Sequence, residues 1–185
     1  MRVIAGSARR LQLVAPKGMN TRPTSDKVKE TLFNILSPVL YDVNFLDLFA
    51  GSGGIGIEAL SRGASGCTFI EKDKEASLCI RKNLETTHFT DVSNVYQADV
   101  MSALSTLVRG SKFDIVFMDP PYDQGLERSV LSILGRSDII DEDTLVICEA
   151  GINTDMSFTS DLGFEITRIK DYKNNKHVFM KRRNQ

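Results

Sequence analysis

"NFLDLFAGSGGIGIEALSRG", residues 44–63, is the stretch on which the fold turns. Its first six residues are apolar apart from Asn44 and one acid, Asp47, and read as a short buried strand. Gly51, Gly53 and Gly56 follow in G-x-G-x-x-G spacing, and "GGIGIEALSRG" continues as a helix. A glycine turn between strand and helix lets the backbone approach a ligand closely. Glu71 ends the next apolar run, "CTFIE", where an acid suits the diol of a ribose.

Working outward, strand and helix continue to alternate. A helix is predicted over 73–87, a strand in "SNVYQAD" (93–99) and a helix over 100–109. The strand "FDIVFMD" (113–119), a helix at about 125–135 and the strand "TLVICEA" (144–150) follow. Short apolar strands separated by helices imply a parallel sheet covered on both faces. The last two strands, "GFEITRIKDY" (163–172) and "KHVFMKR" (176–182), are joined by "KNN", too short for a parallel crossover. They are expected as an antiparallel hairpin, with Asn174 and Asn175 taking the positive φ of its turn. The expected fold is α/β: a doubly wound, Rossmann-like sheet, mostly parallel, with one antiparallel strand. Ahead of it, residues 2–15 read as a β-hairpin, "TRPT" (21–24) breaks the chain, and a helix runs from Ser25 to Leu36. Val28, Leu32, Ile35 and Leu36 form its inner face, with Lys27, Lys29 and Glu30 outside. The chain thus divides into an extension, 1–40, and a ligand-binding domain, 41–185.

Composition is that of a soluble globular chain: 185 residues, 42% apolar and 25% charged. No apolar run approaches the roughly 18 residues of a membrane span, and the arginines of "MRVIAGSARR" interrupt any signal-like segment, so a cytoplasmic protein is expected. Cys67, Cys79 and Cys148 are widely spaced in apolar surroundings and read as reduced core residues, with neither disulfide nor metal. Net charge is −1, but residues 1–40 hold seven basic residues against two acidic, a balance of +5. A second basic cluster runs from Arg168 to Arg183. Basic ends around an acidic middle suggest a polyanionic partner.

"FMDPPYDQ", residues 117–124, leaves the fourth strand of the sheet through an aspartate, two prolines and a tyrosine. Prolines fix φ and donate no N–H, so this corner is rigid and its carbonyls are free. Asp119 and the carbonyl of Pro120 can each accept one N–H of an exocyclic amine on a nucleobase. The nitrogen can then pyramidalise and direct its lone pair at an electrophile. Pro121 stiffens the corner, and Tyr122 offers a face on which a base stacks, worth roughly 1–3 kcal/mol.

Two cofactors suit the glycine loop: a nicotinamide dinucleotide and S-adenosylmethionine. Asp47, just ahead of the loop, would repel a pyrophosphate but suits an ammonium and a sulfonium. Asp99, after the third strand, is placed to meet an adenine amine or to cap the following helix. Lys72 and Asp73 follow Glu71 and border the adenosine position or begin a helix. His88 and His177 are solitary and read as surface residues; Tyr41, Tyr96 and Tyr172 have no distinctive setting.

Together, "RVIAGSARRLQLVAPKG", "TRPTSDKVKETLFNIL", "DLFAGSGGIGIEALSRGA" and "MDPPY" resemble the RsmD-like bacterial 16S ribosomal RNA (guanine-N2)-methyltransferases, which are class I S-adenosylmethionine-dependent enzymes. The resemblance covers nearly the whole chain; the opening hairpin with "TRPT" is its sharper part, since DPPY is shared with adenine-N6 enzymes. It implies methyl transfer to one guanine N2 of 16S rRNA, within an assembling small-subunit particle. The chemistry of the corner requires no metal, and a monomer is expected because a large RNA particle already supplies the contact area. Asp47 and the loop Phe49, Ala50, Gly51, Ser52, Gly53 and Gly56 would hold the methionine part of the cofactor. Glu71 would hold the ribose, with Lys72 beside it, and Asp99 with Val100 the adenine. Asp119, Pro120, Pro121 and Tyr122 would hold the guanine, and Arg9, Arg10 and Arg22 would face the RNA. "DYKNNK" lacks the glycine that often leads into the last hairpin of this family.

Other readings predict different behaviour. An adenine-N6 methyltransferase would use the same corner, but the chain has no spare domain for reading DNA sequence. A small NAD-dependent oxidoreductase would share the loop but finds no proton donor in DPPY. A non-catalytic RNA-binding module would have no use for Asp119.

Overall fold

The computed structural model describes residues 1–16, 25–106, 108, 110–122 and 124–183. Helix α1 (Asp26–Leu36) is capped by Ser25, whose hydroxyl accepts from the Val28 N–H. Strands β1 (Asn44–Leu48), β2 (Gly66–Glu71), β3 (Ser93–Gln97), β4 (Ile115–Met118) and β5 (Leu145–Gly151) alternate with α2 (Gly54–Ser61), α3 (Lys74–Thr87), α4 (Val100–Ser105) and α5 (Leu126–Leu134). The chain closes with β6 (Phe164–Asp171) and β7 (Asn175–Arg182). Helix α4 stops short of the predicted 109: the Ser105 and Thr106 hydroxyls bond back to the carbonyls of Met101 and Ser102, and Thr106 leaves helical geometry.

All seven strands join one sheet in the order β3-β2-β1-β4-β5-β7-β6. The first five pair in parallel, and β7 inserts antiparallel between β5 and β6. The expected doubly wound sheet with a single reversed strand is therefore the observed one. Its turn differs from expectation: neither Asn174 nor Asn175 takes positive φ. Asn175 opens β7 and contributes its side chain instead, as described below.

Strand residues alternate between two cores. Leu46, Leu48, Val116, Met118, Val146 and Cys148 pack towards α4 and α5, whereas Phe45, Phe69, Ile115, Phe117, Ile147 and Phe179 pack with residues of α1, α2 and α3. Cys67 and Cys148 are buried and Cys79 only partly so, since it lies towards the outer side of α3; burial pushes the Cys67 and Cys148 thiols well up.

The extension runs alongside α2. Arg2 and Gln12 form one antiparallel bridge, flanked by Val3 N–H to the Leu11 carbonyl and Leu13 N–H to the Met1 carbonyl, so the expected hairpin is short and irregular. Glu58 of α2 accepts from the N–H groups of Ile4 and Ala5, from Arg62 Nε, and pairs with Lys29 Nζ at 3.2 Å. Lys29 is therefore not on the outer face of α1; it is 1% exposed and also donates to the Arg2 carbonyl. Burial pulls its ammonium down from the ordinary lysine range, opposed by the charge of Glu58. Lys29, Leu32, Phe33 and Leu36 share the i, i+3, i+4, i+7 stripe that packs inward.

Candidate active site

Parallel strands present their carboxyl ends along one edge, and the order of this sheet reverses direction between β1 and β4. The glycine loop leaves β1 and the DPPY corner leaves β4 at this point. In register Asp47 faces Phe117 and Leu48 faces Met118, so Phe49 and Asp119 are the next residues on adjoining strands.

Asp47 points to the α2 side of the sheet, 2% exposed, and accepts from the Gly56 N–H at 2.9 Å. Burial pushes its carboxyl up to about 8, eased by that hydrogen bond and reinforced by the charge of Glu71. Gly56 must be glycine for packing: a Cβ would meet Phe69 Cε1 at 2.4 Å and Cys67 Sγ at 2.6 Å. Gly51 and Gly53 adopt φ of 56° and 79°, and space beside Gly51 is open. Phe49 also takes positive φ, 58°, an uncommon cost for an aromatic residue at the entry to the loop.

Glu71 clamps this loop from β2. Its two oxygens accept from Gly51 N–H and Asp73 N–H, both at 2.8 Å. The carboxylate therefore stands behind the glycine turn with lone pairs left for a ligand. Asn83 of α3 braces the other side, donating to the carbonyls of Ser52 and Val14 and accepting from the Val14 N–H. Asp73 caps α3 and Asp99 caps α4, the latter through Met101 and Ser102 N–H. Asp99 remains exposed at the carboxyl edge beside buried Val100, and Lys72 is exposed next to Glu71.

Across the reversal point, Asp119 is held well above the usual carboxylate range by burial and by the charges of Glu149 and Asp47. Among the described residues neither Asp47 nor Asp119 has a cationic side chain within ion-pair distance. Two acids that burial and mutual repulsion hold towards the neutral form, with no cation beside them, are drawn into the charged form by a cationic ligand and disfavour a phosphate. That chemistry fits S-adenosylmethionine, whose ammonium and sulfonium are both positive.

Tyr122 lies 42% exposed, with its hydroxyl donating to Glu149 Oε1 at 2.9 Å. Glu149 sits near the end of β5, 4% exposed, and receives two further donors: Asn175 Nδ2 on Oε1 and His177 Nε2 on Oε2 at 3.0 Å. His177 Nδ1 in turn meets the Tyr172 hydroxyl at 3.1 Å. These donors keep the Glu149 carboxyl below its ordinary value despite burial. His177 is thus a fully buried residue of the hairpin and not a surface one, and Tyr172 has a definite partner. His88 is exposed and ends α3 in the left-handed conformation.

Sequence reasoning did not single out Glu149, and it named Asn175 only as a turn residue. The available signal was an acid at the end of an apolar strand, as at Asp47, Glu71 and Asp119. Arg9 and Arg10 do not stand at this edge. They are exposed on a turn held to the far end of α2 by Ser7 and Ala8, which bond the Ser61 carbonyl and hydroxyl. An eight-residue helix places that end about 12 Å from the glycine loop. Arg22 lies outside the described residues.

Comparison with known proteins gives consistent relatives. The family model described as "Conserved hypothetical protein 95" matches residues 1–181. Ribosomal RNA small subunit methyltransferase D of Escherichia coli K12 is 40% identical over 152 residues, covering 82% of this chain and 75% of that protein. The protein of the same description from Haemophilus influenzae is 37% identical over 150 residues, with 80% and 78% covered. The solved structure of yhhF from Escherichia coli superposes with a TM-score of 0.86 at 34% identity, over 100% of this chain and 99% of that one.

Proposed function

This chain belongs to the family described as conserved hypothetical protein 95, and from that membership we propose that it methylates the exocyclic N2 amine of a guanine in 16S rRNA, with S-adenosylmethionine as donor. The observation that carries the reading is the adjacency of the glycine loop and the DPPY corner across the β1–β4 reversal point. The relatives called ribosomal RNA small subunit methyltransferase D support rRNA as the substrate class. A small-subunit particle as the natural substrate and a monomeric enzyme complete the reading.

The donor supplies an electrophilic methyl group on a positively charged sulfur. Asp47 holds its ammonium, Phe49 to Gly56 surround its methionine part, Glu71 with Lys72 beside it takes the ribose diol, and Asp99 with Val100 takes the adenine. On the other side of the reversal point, Asp119 and the Pro120 carbonyl accept the two N–H bonds of the target amine. Pro121 keeps the corner stiff, and the Tyr122 ring stacks on the base. The amine lone pair forms the N–C bond as the bond from carbon to sulfur breaks, leaving S-adenosylhomocysteine. Asp119 must be ionised to accept from the amine; the positive charge of the bound donor opposes the burial and the neighbouring acids that hold its carboxyl up. The proton released from nitrogen then passes to it. The arrangement acts by position: nitrogen and methyl carbon must meet in line at about 3–3.5 Å.

The test is transfer of labelled methyl to under-methylated small subunits and, separately, to naked 16S rRNA, followed by nucleoside analysis. N2-methylguanosine is expected, and Asp119→Ala should reduce its rate by at least about 100-fold while S-adenosylhomocysteine still binds. N6-methyladenosine as the product would overturn the guanine assignment and retain the chemistry.

A further inference from the structure

Glu149 is a buried carboxylate supplied with three donors from two separate stretches of chain, and of these donors only Tyr122 is exposed, at 42%. Two of the donors, Asn175 and His177, come from the start of the reversed strand β7. Glu149 and His177 are direct register partners across β5 and β7, and the β4–β5 register continued by one residue brings Asp119 beside Glu149. Tyr172, at the start of the hairpin connection, completes the shell by fixing the His177 ring. The His177 ring also makes edge contacts with Phe117 and Phe179, so its orientation is held by packing as well as by hydrogen bonds.

We propose that the C-terminal hairpin is part of the target-base site: through Asn175 and His177 it holds the Glu149 carboxylate, and Glu149 holds Tyr122 as a pre-set stacking platform. Glu149, Asn175, His177 and Tyr172 are positioning residues; Tyr122 is the group that meets the base. This deepens the methyltransferase reading and rests on it. The prolines stiffen the backbone that leads into Tyr122 but leave its side chain free, and an unanchored ring would lose its rotamer freedom each time a base stacked. Anchoring the hydroxyl removes that cost before RNA arrives, corresponding to roughly 3- to 10-fold in apparent affinity. A carboxylate is the right anchor because it accepts strongly from a phenol and has room for several donors at once. The hairpin explains why an acid can be buried there: without Asn175 and His177 it would be an unmatched charge beside Asp119.

The experiment is a double-mutant cycle on RNA methylation with Tyr122→Phe and Glu149→Gln, joined by Asn175→Ala. Tyr122→Phe keeps the ring and loses only the anchor. It should raise KM for RNA by about 3- to 10-fold with a smaller effect on kcat, and leave the Kd for S-adenosylhomocysteine within about twofold. Glu149→Gln and Asn175→Ala should move KM in the same direction. Because Glu149 acts through Tyr122, the double variant should match the more impaired single variant. Independent, multiplying effects, or a Tyr122→Phe protein with wild-type KM, would overturn the assignment. Should Glu149→Gln fail to fold in a thermal melt, Tyr122→Phe with Asn175→Ala closes an equivalent cycle. A wild-type protein that methylates no RNA would instead refute the functional reading on which the proposal stands.

Discussion

Asp47 shows how one buried side chain links pH, folding and ligand choice. Its carboxyl is raised from the ordinary 3.8 to about 8 chiefly by burial, so the folded protein holds a proton that the unfolded chain releases. Its contribution to stability is therefore present below about pH 4 and is lost as pH rises towards about 8. A cationic ligand reverses the preference by matching the charge, so binding below about pH 8 expels the proton. We expect the Kd for S-adenosylmethionine to tighten as pH rises from about 6 to 8, by up to about tenfold per pH unit. Asp47→Asn should flatten that dependence. Titration calorimetry in buffers of different ionisation enthalpy reads the released proton directly, and a pH-independent Kd in the wild type would exclude Asp47 as the ammonium partner.

Among the elements, α2 carries two jobs at its two ends. Its beginning holds the glycine turn against Asp47, while Glu58 and Ser61 hold the extension along its length. Glu58 is fully buried and is the partner of buried Lys29, so the pair cannot be separated without stranding a charge. Glu58→Ala should cost about 3–5 kcal/mol, read as a lower denaturant midpoint, because it leaves Lys29 and the N–H groups of Ile4 and Ala5 unmatched. Lys29→Met should cost less, since Glu58 retains Arg62 and two backbone donors. Equal losses in the two variants would argue against this asymmetry.

At the scale of the whole molecule, the extension connects a basic turn at one end of α2 to the glycine loop at the other. Val14 reaches the loop through Asn83, which also holds Ser52, while Arg9 and Arg10 stand at the far end of the helix. A large RNA can span both. If these arginines meet phosphates, replacing both by alanine should reduce the slope of log K for RNA against log salt by about 1–2. Cofactor affinity should not change, because the turn does not touch the loop. An unchanged slope would remove the turn from the RNA-facing surface.

Local sequence determined a good deal of this protein. The glycine spacing fixed a strand–turn–helix at residues 44–61, and the short "KNN" connection required an antiparallel ending. DPPY marked the corner that faces the loop. Each depends on chain geometry over a few residues, which neighbours in sequence settle by themselves. Lys29 was half legible: it shares the buried stripe of α1, but a lysine reads as exposed until its partner is known. That partner, Glu58, comes from another helix. His177, Tyr172, Asn175 and Glu149 were decided by tertiary structure alone. β7 is covered by strands on both sides, and His177 is buried within the run His177 to Met180, so alternation gives no sign of which way the imidazole faces. Only the β5–β7 register sets His177 against Glu149, and only the neighbouring β4–β5 register brings that pair to Tyr122. A buried charge needs donors from wherever the chain can supply them, and here they come from more than 20 residues away.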